Sequence, residues 1–229
     1  MKKFSKVFIK VLASLSCFVF VVLLATFYVK IENANSYKKP IVVIDAGHGG
    51  IDAGASGVNT GVRESDLNLL IAKKLKNNFL NAGFEVVMTR EDNSGLYGTT
   101  DPGFKLRDLN KRVEIINSKN AKICISIHLN TYKSSSRRGA QTFYKKGDKN
   151  GEKLAKFIQN RINGLKLVPR LYNHLYGDYY LLNQCKPTTV IVECGFLSSP
   201  DDERLLLTEE YRNDIALAIF NGSLDFFCA

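Results

Sequence analysis

Three short apolar runs in this sequence end on residues that bind metals or move protons. Ile41-Val-Val-Ile44 runs into Asp45-Ala-Gly-His48-Gly-Gly, Ile123 to Ile127 into His128-Leu-Asn130, and Thr189 to Val192 into Glu193-Cys-Gly195. The chain holds three histidines, and two of them stand at equivalent ends of such runs. A catalytic zinc takes about three protein ligands from His and Asp or Glu and keeps one position open for water. His48 and His128 supply two. Glu64, in Arg63-Glu64-Ser65-Asp66 just ahead of a helical pattern starting near Leu67, is the carboxylate placed to be the third. Glu193 is then free to act as general base, with burial raising its pKa and a nearby cation lowering it. A metal that acidifies water and polarises a carbonyl, beside a carboxylate that moves a proton, suits hydrolysis of an amide.

Each residue alone has a plainer reading. A histidine in a glycine loop often serves a turn or a core, a glutamate at a helix start complements the dipole, and Glu193 could cap a strand in solvent. The joint occurrence of all four at element ends favours a metal site, and spacing alone leaves both readings open. The third histidine, His174 in Tyr172-Asn-His-Leu-Tyr176, has no strand-end context. It reads as a loop residue, at most lining the groove, and not as a ligand.

The elements that must position these residues follow from hydrophobic periodicity. Ile41 to Ile44 is a β-branched run that reads as a buried strand, followed by strands over Phe84 to Thr89, Ile123 to Ile127, Gln141 to Tyr144 and Thr189 to Val192. Leu67, Leu70, Ile71, Leu75 and Leu80 interleave with lysines and asparagines as an amphipathic helix stopped at Gly83. Further helices are expected over Lys105 to Asn117, Glu152 to Ile162 and Glu209 to Leu224. Alternating strands and helices imply a single α/β domain, a mostly parallel sheet flanked by helices on both faces. Functional groups in such sheets collect at the carboxyl ends of the strands.

The 229 residues suffice for one sizeable core, and 45% hydrophobic with 24% charged residues excludes a disordered or collagenous chain. The formal charge of +10 raises the question of nucleic acid, so its location matters. Seven lysines against Glu32 put +6 on residues 1–39 and leave +4 on the other 190. Lys2, Lys3, Lys6 and Lys10 precede an uncharged stretch from Val11 to Val29, the layout of a signal peptide or an N-terminal membrane anchor. Ala34-Asn35-Ser36 offers a cleavage site before Tyr37, weakened by Lys30 and Glu32. Residues 1–39 are therefore assigned to a leader or anchor with a short linker and 40–229 to the catalytic domain. Cys17 lacks a lipoprotein context, and Cys124, Cys185, Cys194 and Cys228 form neither a C-x-x-C pair nor an expected disulfide framework. An exported domain has no nucleic acid to meet.

As a set, several blocks resemble the zinc-dependent N-acetylmuramoyl-L-alanine amidases of type 3. They are Ile44-Asp-Ala-Gly-His-Gly-Gly-Ile-Asp-Ala-Gly-Ala55, Glu64 with Asp66-Leu-Asn-Leu69, Thr89-Arg90, Ser126-Ile-His-Leu-Asn130, and Val192-Glu-Cys-Gly-Phe-Leu-Ser198 with Asp202-Glu203. They fall in family order across residues 41 to about 224. The resemblance implies a twisted sheet of about six strands and cleavage of the amide between N-acetylmuramic acid and the L-alanine of the peptidoglycan stem peptide. It makes His48, Glu64 and His128 ligands of one zinc ion and Glu193 the catalytic carboxylate. Asn130 and Arg90 fall at motif positions with supporting or substrate-contact roles. Glu91 to Phe104 is longer than the family's usual link and is expected as a surface loop. No wall-binding repeat is evident, and no long helix of the site-blocking kind stands between His128 and Glu193.

A compact domain behind a leader most resembles the sporulation and germination-associated members, whose products lead to the muramic lactam of spore cortex. An accessory or activating protein, or the membrane segment, would then place the enzyme outside the cytoplasm on the cell wall. The alternatives are a vegetative autolysin of the same family, a related zinc peptidase, or a wall-binding protein without turnover.

Overall fold

The structure is a computed structural model that describes residues 15–16, 18–26, 40–167 and 171–229. The chain divides into two units, Met1–Lys39 and Pro40–Ala229. Cys17 and the cleavage site expected before Tyr37 lie outside the described residues, as does most of the leader. Residues 15–16 and 18–26 are helical and exposed. Among the described residues no helix is long and apolar enough to cross a membrane.

From Pro40 onward the chain builds one six-stranded sheet. The strands are β1 (Ile41–Ala46), β2 (Glu85–Met88), β3 (Ile123–Asn130), β4 (Gln141–Tyr144), β5 (Leu175–Tyr176) and β6 (Thr188–Phe196), in the order β2-β1-β3-β6-β4-β5. Their connecting helices are α1 (Glu64–Asn81), α2 (Phe104–Ser118), α3 (Lys149–Asn163), α4 (Tyr180–Gln184), α5 (Pro200–Leu206) and α6 (Glu209–Cys228). All neighbours pair in parallel except β4 against β6, so the sheet is mostly parallel, as the alternation of strands and helices implied, with one antiparallel pair.

The central strands β1, β3 and β6 are buried along nearly their whole length, which accounts for their unbroken β-branched runs. Val42, Ile44, Ile123, Ile125, Val190 and Val192 face the larger core with α1, α3 and α6. Val43 and Cys124 face a smaller one with Ile116 of α2 and Leu181 of α4. Helices thus cover both faces. Helix α1 inserts Leu67, Ile71, Leu75 and Phe79 at near-helical spacing into the larger core, where Phe79 stacks edge-on against Phe84 and Phe220. Gly222 of α6 has no side chain because α3 crosses there. A Cβ would lie 2.5 Å from Ile158 Cα.

Several boundaries differ from the periodicity reading. Helix α1 begins at Glu64, not near Leu67, so the carboxylate sits in the first turn. Strands β3 and β6 run past their apolar segments, which places His128 and Glu193 inside the strands. Backbone pairing continues there because the ladder hydrogen bonds are made by main-chain groups whatever the side chain. The four described cysteines are free thiols.

Replacing Phe79 by alanine removes a fully buried ring from the larger core. We expect a loss of about 3–5 kcal/mol in unfolding free energy, read from the urea midpoint of the protein. A loss below about 1 kcal/mol would contradict this packing.

Candidate metal centre

Because β1, β3 and β6 are adjacent and parallel, their carboxyl ends meet at one edge of the sheet. His128 and Glu193 are direct cross-strand partners in the β3–β6 register. The first residues after β1 form a tight hairpin in which Gly49 and Asp52 exchange backbone hydrogen bonds, turning His48 back toward β3. His48 itself has φ of 60°, a left-handed conformation that a histidine adopts only when its surroundings hold it. Gly47 has no room for a side chain, since a Cβ would lie 2.3 Å from the His128 ring.

Glu64 joins the two histidines. Its Oε1 lies 3.0 Å from His128 Nδ1 and 3.2 Å from His48 Nε2. One ligand atom from each of the three residues falls within 4.8 Å of the other two, a grouping that could hold a metal ion. Donors around a tetrahedral ion with bonds of about 2.1 Å lie roughly 3.4 Å apart, so these separations are close to those of a bound ion. The carboxylate is fixed by the Leu129 and Ala55 amides at 3.1 and 2.8 Å and by Asn68 Nδ2 at 3.2 Å. His48 Nδ1 meets Asp52 Oδ2 at 2.8 Å, so Nε2 is left facing Glu64. A carboxylate on the far nitrogen is how ligating histidines are usually oriented.

The electrostatics have the same character. Burial alone would push the Glu64 carboxyl up, yet His128 and His48 hold it well below the usual range. Burial would depress His48, but Asp52 and Glu64 outweigh it and push it up to about 9. The three groups are drawn together as a cation would draw their neutral and anionic forms, and metal uptake must displace the proton. Glu193 behaves differently. Burial pushes it up to about 7, with Glu64 adding to the rise and His128 and His48 opposing it. Its Oε2 is buried without a hydrogen-bond partner. An unmatched carboxylate oxygen at the edge of a histidine–carboxylate cluster, with two imidazoles and one carboxylate as donors, fits a metal hydrolase site.

Behind this cluster lies a buried network that the motif reading did not anticipate. Asp45, 1% exposed, accepts hydrogen bonds from Thr89 at 2.6 Å, Ser126 at 2.6 Å and Arg112 at 2.7 Å. Burial raises its pKa, but Arg112 and the two hydroxyls prevail and hold it at about 2. Arg112 also binds Asp108 at 2.5 Å and donates to the carbonyls of Ala46 and His48 at 2.7 and 2.6 Å. Arg90 donates to the carbonyls of Ala46, Gly47, Ser65 and Asp92, so its guanidinium faces backbone on every side. Asn130 lies at the rim with its Oδ1 accepting from the Thr131 amide. His174 stands just before β5 with its ring 5.7 Å from that of Tyr144, and it is not one of the three clustered residues.

Two further contacts shape the loops. Glu203 accepts from the Asn59 and Thr60 amides and the Thr60 hydroxyl, pinning the tip of the glycine loop. Residues 91–103 form the expected loop, and it packs onto the hairpin: Tyr97 OH accepts from the Ile51 amide and Asn93 O from that of Gly50. One signal could have exposed Arg112. It stands with Leu109 and Ile116 at helical spacing on the apolar side of α2, where a charge needs a partner.

The sequence model of N-acetylmuramoyl-L-alanine amidase matches residues 42–224. The chain is 35% identical over 219 residues to the germination-specific N-acetylmuramoyl-L-alanine amidase of Bacillus subtilis, covering 91% of each. It is similar to the CwlD amidase of Clostridioides difficile, solved in complex with the GerS lipoprotein, with a TM-score of 0.77, 37% identity, and 83% and 99% of the two chains covered. An N-acetylmuramoyl-L-alanine amidase from Clostridium difficile 630 aligns with a TM-score of 0.75 at 31% identity, over 84% of this chain and 98% of that one.

Changing Arg112 to methionine would leave Asp45 buried without its counter-charge, for an expected loss of about 3–5 kcal/mol at pH 7. In the unaltered protein the depressed pKa of Asp45 stabilises above about pH 4, and that contribution fades as pH falls through about 2. In the variant the buried carboxylate is instead relieved by protonation, so the difference between the two proteins should shrink on acidification. Denaturation at pH 7 and pH 4 would show it, and a constant difference would contradict the pairing.

Proposed function

Since the chain belongs to the N-acetylmuramoyl-L-alanine amidase family, we propose that it hydrolyses the lactyl–L-alanine amide of peptidoglycan at one zinc ion held by His48, Glu64 and His128, with Glu193 as general base. The observation that carries this is the convergence of those three donors beside a buried carboxylate with an unmatched oxygen, all inside the matched span. Zinc at such a site supplies an acidified water and polarises the amide carbonyl. Glu193 takes one proton as the water oxygen bonds to the carbonyl carbon, then delivers it to the nitrogen as the C–N bond breaks. The second proton of the water then passes from the new carboxyl to the amine, so the products are a carboxylate on the lactyl group and the ammonium form of the L-alanine amino terminus. Asp52 keeps the His48 tautomer that leaves Nε2 free, and Arg90 and Arg112 keep the hairpin in place.

We assign residues 1–39 to a signal peptide or membrane anchor and 40–229 to the catalytic domain, which acts outside the cytoplasm on the wall. The germination-specific name of the Bacillus relative supports a role in spore cortex, where stem-free muramic acid becomes muramic lactam. The lipoprotein in the clostridial complex supports an accessory protein as partner.

Incubation with purified peptidoglycan, with and without chelator, tests the reaction. New L-alanine amino termini that vanish on chelation are expected, and cleavage inside the stem peptide would overturn the amidase reading. Glu193→Gln should retain zinc and lose about 10²- to 10⁴-fold in turnover, whereas His48→Ala and His128→Ala should lose zinc. Because the base works deprotonated and burial raises its pKa, activity should rise with pH along a limb at or below about 7, a bound cation moving it downward. That limb should be absent from the residual rate of Glu193→Gln.

A further inference from the structure

The loop from Thr131 to Gly139 follows β3 and borders the carboxyl ends of β3 and β6. It is anchored at both ends. The Tyr132 amide donates to Ser198 Oγ at 2.9 Å, and the Gly139 amide donates to Asp202 Oδ2 at 2.7 Å. Two consecutive arginines sit within it, and their surroundings are opposite. Arg138 is matched by Asp201 at 2.8 Å and Asp202 at 3.4 Å. Arg137 is held by two aromatic rings instead, its guanidinium carbon 4.5 Å from the centre of Tyr132 and 5.4 Å from that of Phe196. Among the described residues no carboxylate, carbonyl or hydroxyl accepts from its guanidinium.

Stacking on aromatic faces orients a guanidinium without occupying its in-plane donors. Those donors form a fork that matches a carboxylate in bidentate fashion. A half-buried cation fixed between rings has already lost much of the side-chain freedom that binding would otherwise cost. Its location is informative too. Phe196 pairs with Asn130, so it lies beyond Glu193 across a bulge by two residues of β3, about 7 Å along the sheet. A group bound there is within reach of the first three peptide residues.

Resting on the amidase reading above, we propose that Arg137 is a substrate-binding residue that takes a carboxylate of the stem peptide, within the first three residues beyond the scissile amide. Tyr132 and Phe196 are its positioning partners. The contact selects peptides that carry a free carboxylate there over their amidated forms, and it fixes which side of the cleft the leaving peptide occupies.

The test compares an N-acetylmuramoyl tripeptide bearing free carboxylates with the same compound amidated at each of them, using the zinc-loaded full chain. The unaltered protein should prefer the acid form through KM. Arg137→Gln should raise KM for the acid form by about 10- to 100-fold, leave kcat and the amidated substrate unchanged, and keep the same thermal midpoint. Arg137→Lys should restore part of the preference, and Tyr132→Leu should weaken it. Calorimetric binding of the free tripeptide in acid and amide forms should rank the variants identically without turnover. Equal KM for both substrates in the unaltered protein, or an equal change for both in Arg137→Gln, would overturn the role of Arg137 while leaving the amidase standing. Cleavage of neither compound at the lactyl–L-alanine bond would overturn both.

Discussion

The buried pair between Asp45 and Arg112 is the constraint on which the site's geometry depends. A buried ion pair is a poor source of net stability, because desolvating both charges offsets most of their attraction. Its effect here is orientation. Arg112 reaches from α2 across the end of β1 and, besides Asp45, holds the carbonyls of Ala46 and His48. Asp45 in turn ties β1 to Ser126 on β3 and to Thr89 just beyond β2. Three chain segments are thereby locked at the level where the histidines emerge. The left-handed backbone of His48, a conformation costing on the order of 1–3 kcal/mol, persists because these bonds outweigh it.

Around that frame the site separates into groups that present a cation's ligands and one group held apart from them. Glu64 meets both histidines through Oε1, which also accepts from the Leu129 amide, while the Ala55 amide holds Oε2. Glu193 is close enough to be raised by Glu64 and lowered by the imidazoles, yet its own Oε2 has no partner. Two neighbouring carboxylates thus have opposite environments, one held strongly ionised and the other with its pKa raised to about 7. That divergence supports the proposal that one serves as ligand and the other as base.

Much of the fold was legible because burial on both faces demands continuous apolar runs. Strands β1, β3 and β6 announce themselves in Ile41 to Ile44, Ile123 to Ile127 and Thr189 to Val192, and α1 in its spaced leucines. Strand β5 has two exposed residues and α4 only five residues, too short for any period to register. The antiparallel direction of β4 is likewise absent from its own four residues, since a buried strand reads alike in either orientation. The strand ends were displaced for a related reason. Periodicity stops where polar residues start, whereas backbone pairing continues through His128 and Glu193.

By itself the sequence determined which residue types stand at the ends of the central strands, and it carried enough specific motif to place the chain in its family. His48, Glu64 and His128 stood out because metal chemistry admits few residue types and these occur at element ends, and the structure brings the three together as a grouping that could hold a metal ion; Glu193 is proposed beside them as the base. Only the tertiary structure decided what surrounds them. Four arginines make the point: Arg90 binds backbone carbonyls, Arg112 a buried aspartate, Arg138 one exposed and one buried carboxylate, and Arg137 aromatic faces. Nothing local distinguishes Arg137 from Arg138, because a charge's environment is set by segments distant in sequence, here Phe196 and Asp202, that meet only once the sheet is assembled.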